Sequence, residues 1–121
     1  MNEDYVSFEV AKLLKEKKFD WGCQAFYNAN RTLAASPVHT INDELEDSDI
    51  ACPTLYMAQK WLIEKKGLHV STGFNVPTGR WFYIIMNIRE GHYQGKELSD
   101  YEYSFFEEAL QAGILDALNL I

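Results

Sequence analysis

Residues 68–88, LHVSTGFNVPTGRWFYIIMNI, decide the fold. Leu68, Val70, Thr72, Phe74 and Val76 alternate with His69, Ser71, Gly73 and Asn75. That period of two belongs to a strand with one wet face. Pro77, Thr78 and Gly79 supply turn chemistry. From Arg80 to Ile88 the chain is apolar on both phases. Trp81, Tyr83 and Ile85 point one way, and Phe82, Ile84, Met86 and Ile88 the other. A strand with two apolar faces reads as central. The two segments predict an antiparallel hairpin.

Working outward, three segments carry helical spacing. In the first, Ser7 is the cap, and Val6, Val10, Leu13 and Leu14 share a face. Lys15, Lys17 and Lys18 fall in its last turn, where cations suit the helix dipole. The second follows Pro53, a residue favoured in a first turn. Its stripe is Leu55, Ala58, Trp61 and Leu62, and Gly67 is placed to end it. The third opens on Ser99 and Glu102, spaced as a capping box. Phe106, Ala109, Leu110, Gly113 and Ala117 form its apolar stripe, with Glu107, Glu108 and Gln111 opposite.

Phe19, Trp21, Cys23, Ala25 and Tyr27 alternate with more polar positions and predict another strand. Val38 to Ile41 is a candidate to return beside it. The run 42–49, NDELEDSD, is an acidic loop before the second helix. The expected architecture is therefore α+β, a single domain over residues 1–121. It has an antiparallel sheet of about four strands and three helices, in the order α-β-β-α-β-β-α. One apolar stripe per helix predicts that the helices cover one face of the sheet.

Composition narrows the function classes. The chain has 121 residues, enough for one core. Its net charge is -7, the wrong sign for a phosphate backbone or an anionic membrane surface. That charge suits a basic partner. Two cysteines, Cys23 and Cys52, make neither a disulfide framework nor a four-thiolate zinc site. Both read as free, buried thiols. The opening MNEDYVSF has no signal-peptide character, and the expected location is the cytoplasm.

Chemistry-bearing motifs are sparse. The acids of 42–49 lack the spacing of a calcium loop. His39, His69 and His92 fall on separate elements, so no metal site is expected. There is no nucleophile elbow and no phosphate-cradling loop. Cys23 lies on the apolar phase of its strand, which favours structure over nucleophilic catalysis. No cofactor is expected.

The central strand offers the sharper clue. Helices on one sheet face leave large apolar side chains on the other, and such patches mark interfaces or grooves. The leading expectation is a non-catalytic binding or assembly domain. It would act through Trp81, Tyr83 and Ile85, with His69 and Ser71 nearby, and would self-associate as a homodimer or bind another protein. Loops from Asn28 to Ser36 or Arg89 to Leu98 are the competing cover for that face. A second expectation is a small-molecule site or small enzyme. In it Trp81 and Tyr83 form an apolar wall, and His69, Ser71 and Asn75 supply the polar groups. A third is an acidic decoy for a nucleic-acid-binding protein. From Glu90 onward seven acids accompany one base, Lys96. Direct nucleic-acid binding is not expected.

The stretches VSFEVAKLLKEKKFDW, PTLYMAQKWLIEKKGLHV and YEYSFFEEALQAGILDALNLI resemble a family of short uncharacterised proteins. These come from Bacteroides-type genomes and their phages or mobile elements. Pro53-Thr54-Leu55 and Lys60-Trp61-Leu62 carry the likeness most specifically. The resemblance spans the first helix with the strand after it, the second helix and the third helix. It implies a bacterial, cytoplasmic or phage-related setting, and brings no catalytic motif.

Overall fold

A computed structural model describes residues 5–94 and 102–121. Helix α1 spans Phe8–Glu16, and strands β1 (Cys23–Tyr27) and β2 (Leu33–Thr40) follow. After a short 3-10 turn comes β3 (Ile50–Ala51), then α2 (Leu55–Trp61). Strands β4 (Leu68–Asn75), β5 (Arg80–Asn87) and β6 (His92–Gln94) precede α3 (Phe106–Asn119). The α+β class, the antiparallel pairing and the three helices hold. The strands divide between two three-stranded sheets, in the orders β2-β1-β3 and β4-β5-β6.

The predicted hairpin forms in one unbroken register, from Leu68 opposite Asn87 to Asn75 opposite Arg80. The Gly79 N–H donates to Asn75 O at 2.8 Å and closes the turn. β1 pairs with β2 as expected, with an irregularity between Cys23 and Ala25. β2 begins at Leu33, earlier than Val38, because Ala34 and Ala35 can also pair with β1. Small residues leave little hydrophobic pattern to read. β3 is only two residues long and was not legible as a strand.

Helix α1 starts where its cap predicts. The Ser7 hydroxyl accepts from Val10 N at 3.3 Å. The Ser7 N–H is itself held by Gln111 Oε1 at 2.7 Å, and Gln111 Nε2 donates to Tyr5 O at 3.4 Å. Gln111 therefore clamps the entry to α1 rather than standing in solvent. At the far end, Phe19 N donates to Leu14 O and Lys18 N to Lys15 O. This is a Schellman closure, with Lys18 at φ 72° in the left-handed position that glycine favours.

Thr54 caps α2 by accepting from Met57 N at 3.1 Å, and Pro53 stands just before it. Leu55, Ala58, Trp61 and Leu62 are all buried, as their stripe predicts. The last turn, Leu62–Lys66, widens to a π-helix and ends on Gly67 at φ 67°. Helix α3 begins later than the Ser99–Glu102 spacing predicts. Ser99 lies outside the described residues. Glu102 instead accepts from Asn75 Nδ2 at 2.8 Å and Thr78 Oγ1 at 2.9 Å. Tyr103 pairs with Trp81 through two backbone bonds of 2.7 and 2.8 Å. Tertiary pairing outcompetes the local cap, and the helix starts at Phe106.

One core joins these parts. Val6, Val10 and Leu14 of the first helical segment meet Phe19, Trp61 and Leu62, then Val70 and Ile85, then Ile114 and Leu118. Phe19 and Trp61 meet edge to face with centroids 5.5 Å apart. Asn42, at the head of the acidic loop, is buried and fully used. Its Nδ2 donates to Phe19 O at 3.1 Å, and its Oδ1 accepts from Ala51 N at 2.9 Å. The acids Asp43, Glu44, Glu46 and Asp47 stay exposed, as a solvated loop should.

Candidate functional site

The two phases of β5 meet different surroundings. Val70 opposes Ile85, Thr72 opposes Tyr83, and Phe74 opposes Trp81, so these six share one face. Helix α3 lies on that face. A Cβ on Gly113 would meet Val70 Cγ1 at 2.5 Å and the Tyr83 ring at 3.0 Å. The Tyr83 hydroxyl donates to Asp116 Oδ2 at 2.8 Å. Ile85 is buried in the core, and Trp81 and Tyr83 are half-buried.

Trp81, Tyr83 and Ile85 therefore sit on the helix-covered side, not on an uncovered one. The reason is steric. Gly113 lets α3 approach this phase closely, and the ends of the stripe match its aromatic rings. Trp81 packs edge-on against Phe74 at 5.1 Å and against Phe106 at 5.4 Å.

The opposite face carries His69, Ser71 and Gly73 on β4, with Met86, Ile84 and Phe82 opposite them on β5. Met86 also pairs with Tyr93, which adds that ring to the same face. The Phe82 ring lies over Gly73, 2.4 Å from where a Cβ would stand. Phe82, Ile84 and Met86 are half-buried and lie outside the core cluster. Ile88 is 46% exposed and Tyr93 66%. Neither His69 nor Ser71 makes a side-chain hydrogen bond to the described residues.

Of the five predicted site residues, His69 and Ser71 thus share the outer face, and Trp81, Tyr83 and Ile85 lie behind it. A pocket that combines Trp81, Tyr83 and His69 is excluded by this geometry, because the sheet stands between them. Period two had separated the two phases of β5 correctly. It holds no information about which phase a distant helix selects. Tyr93 was missed because three residues are too short for an alternation signal.

Other chemical groups are occupied or inert. Cys23 and Cys52 line one small cavity of about 170 Å³ with Tyr5, Pro53 and Met57. Both are free and buried. Burial pushes each thiol up to about 12, far from a nucleophile's range. The Tyr27 hydroxyl donates to Val6 O at 2.8 Å beside them. Among the described residues, no three His, Cys, Asp or Glu side chains gather as metal ligands. Among the same residues, no helix is long and apolar enough to cross a membrane.

Several acids serve the fold. Glu90 accepts from Asn87 Nδ2 at 3.3 Å and meets His92 Nε2 at 3.0 Å. Glu102 and Asp116 are held as described above. What the outer face offers is apolar contact area with two available polar groups. No family model, curated protein or solved structure matches the chain.

Proposed function

We propose that this chain is a non-catalytic binding or assembly domain that forms a homodimer through the outer face of the β4–β5–β6 sheet. One observation carries the reading. Phe82, Ile84 and Met86 on the central strand, with Tyr93 opposite Met86 on the edge strand, form an apolar surface outside the core. Contiguous patches of this kind are uncommon on soluble monomers unless they bind something.

Size sets the strength. Two strands of eight residues and a three-residue edge strand fit within roughly 27 by 14 Å. That is below the ~800 Å² per partner of a standard stable interface. The dimer is accordingly weak and reversible, with the rings of Phe82 and Tyr93 as its anchors. His69 and Ser71 supply polar contacts at the margin.

Light scattering over a concentration series tests this. The expected mass rises from monomer to dimer with concentration. Ile84→Glu should hold the mass at the monomer value while the thermal melt stays close to that of the parent, because Ile84 is outside the core. A parent chain that remains monomeric throughout, or a variant that dimerises equally well, overturns the reading.

A further inference from the structure

The first turn of α3 stands between two grooves on the other side of the molecule. One, of about 450 Å³, is walled by Tyr56, Leu55 and Gln59 of α2 and by Phe106, Glu107 and Leu110 of α3. The other, of about 390 Å³, is walled by Val10, Tyr103, Glu107, Glu108 and Leu115, among others. Glu107 lines both. Among the described residues, no lysine, arginine or histidine lines either groove.

Their walls are chemically incomplete as they stand. Tyr56 is 69% exposed and Phe106 42%, although each belongs to a helix with a buried stripe. Glu107 and Glu108 form no ion pair with the described residues. Over residues 102–121 the charged side chains are Glu102, Glu107, Glu108 and Asp116, all acidic. Exposed ring faces beside carboxylates attract a cation carried on an apolar stem. The uniform charge of this segment steers such a cation inward. An anion at the helix N-terminus is disfavoured, since Glu107 and Glu108 already occupy the first turn.

We propose that these grooves bind a basic segment of a partner protein. Its lysine or arginine heads meet Glu107 and Glu108, and its stems and apolar residues lie over Tyr56 and Phe106. A single small cation fills only one groove. Because Glu107 belongs to both, an extended peptide is the ligand that uses the whole surface. This surface is separate from the dimer face, and the two readings stand or fall independently.

Calorimetry with a synthetic peptide that alternates arginine and leucine tests the proposal. Glu107→Gln combined with Glu108→Gln should weaken binding about tenfold or more, the size of a lost charge-assisted contact. Glu44→Gln with Glu46→Gln removes the same charge from the exposed acidic loop and should leave binding nearly unchanged. Tyr56→Ala should also weaken it, at unchanged net charge. Equal weakening by both double variants would show general attraction to an acidic protein and overturn the proposal. So would the absence of saturable binding at millimolar peptide.

Discussion

The Tyr83 hydroxyl reaches across 2.8 Å to Asp116 Oδ2 and ties the middle of β5 to α3. This bond, with the packing beneath it, settles which face of the strand is inside. Tyr83→Phe keeps the ring and removes the donor. Asp116 is half-buried, so water recovers part of the loss. The expected destabilisation is about 1 kcal/mol, read from urea unfolding. No change would mean that packing alone seats the helix.

Gly113 is the point of closest approach between α3 and the sheet. Alanine is the better helix former by about 1 kcal/mol. Here its Cβ would stand 2.5 Å from Val70 Cγ1. Overpacking of that kind typically costs about 1–3 kcal/mol. Gly113→Ala should therefore lower the thermal midpoint despite the propensity gain. A higher midpoint would mean that Val70 and Tyr83 move aside freely.

Lys18 holds a left-handed conformation, at φ 72°, for the Schellman closure of α1. Its side chain is exposed. Lys18→Gly removes the steric cost at that position while keeping both backbone bonds. A stabilisation of about 0.5–1 kcal/mol is expected, against the larger chain entropy of glycine when unfolded. Denaturant midpoints of the two proteins measure it. A loss of stability would mean that the entropy term outweighs the strain relieved.

Cys23 and Cys52 are each raised from 9.0 to about 12 by burial. In the window between those values the unfolded chain releases protons that the folded chain keeps. The unfolded state then binds fewer protons, so stability falls as pH rises through that window. Tyr27, raised from 10.0 to about 12, acts with the same sign. Thermal melts at alkaline pH should show this decline, and Cys23→Ala with Cys52→Ala should flatten it. DTNB should label the native thiols far more slowly than the urea-unfolded ones.

Local patterns carried much of the architecture. The period-two hairpin, the Ser7 cap and the α2 stripe each depend on neighbours in sequence, and each stands where its pattern places it. Failures came where distant parts of the chain decide. Glu102 was read as half of a capping box, yet it serves Asn75 and Thr78 across 27 and 24 residues. Ala34 and Ala35 join a strand whose partner gives them order. The choice of covered face on β5 depends on Gly113, nearly thirty residues away. Both phases of the strand are apolar, so hydrophobicity could not separate them. The Tyr56–Phe106 groove was not legible: Phe106 belongs to the apolar stripe of α3 in sequence, yet it is 42% exposed, because the stripe runs past the end of the core.

Asn42 has a consequence for engineering. By accepting from Ala51 N and donating to Phe19 O, it brings the two ends of the acidic loop together, while Lys15 Nζ holds Asp47 O and Asp49 O and Leu45 packs against the core. Ring closure there is already achieved, and extending the loop adds only about 0.6 kcal/mol for each doubling of its length. A fluorescent reporter spliced in after Asp47, beyond the packed Leu45 and among exposed residues, should leave the melting curve nearly intact. The same splice after Gly73 or Gly113 should unfold the domain. The acidic loop is thus a natural port of entry into the chain, a place where a foreign sequence can be carried without the core registering its presence.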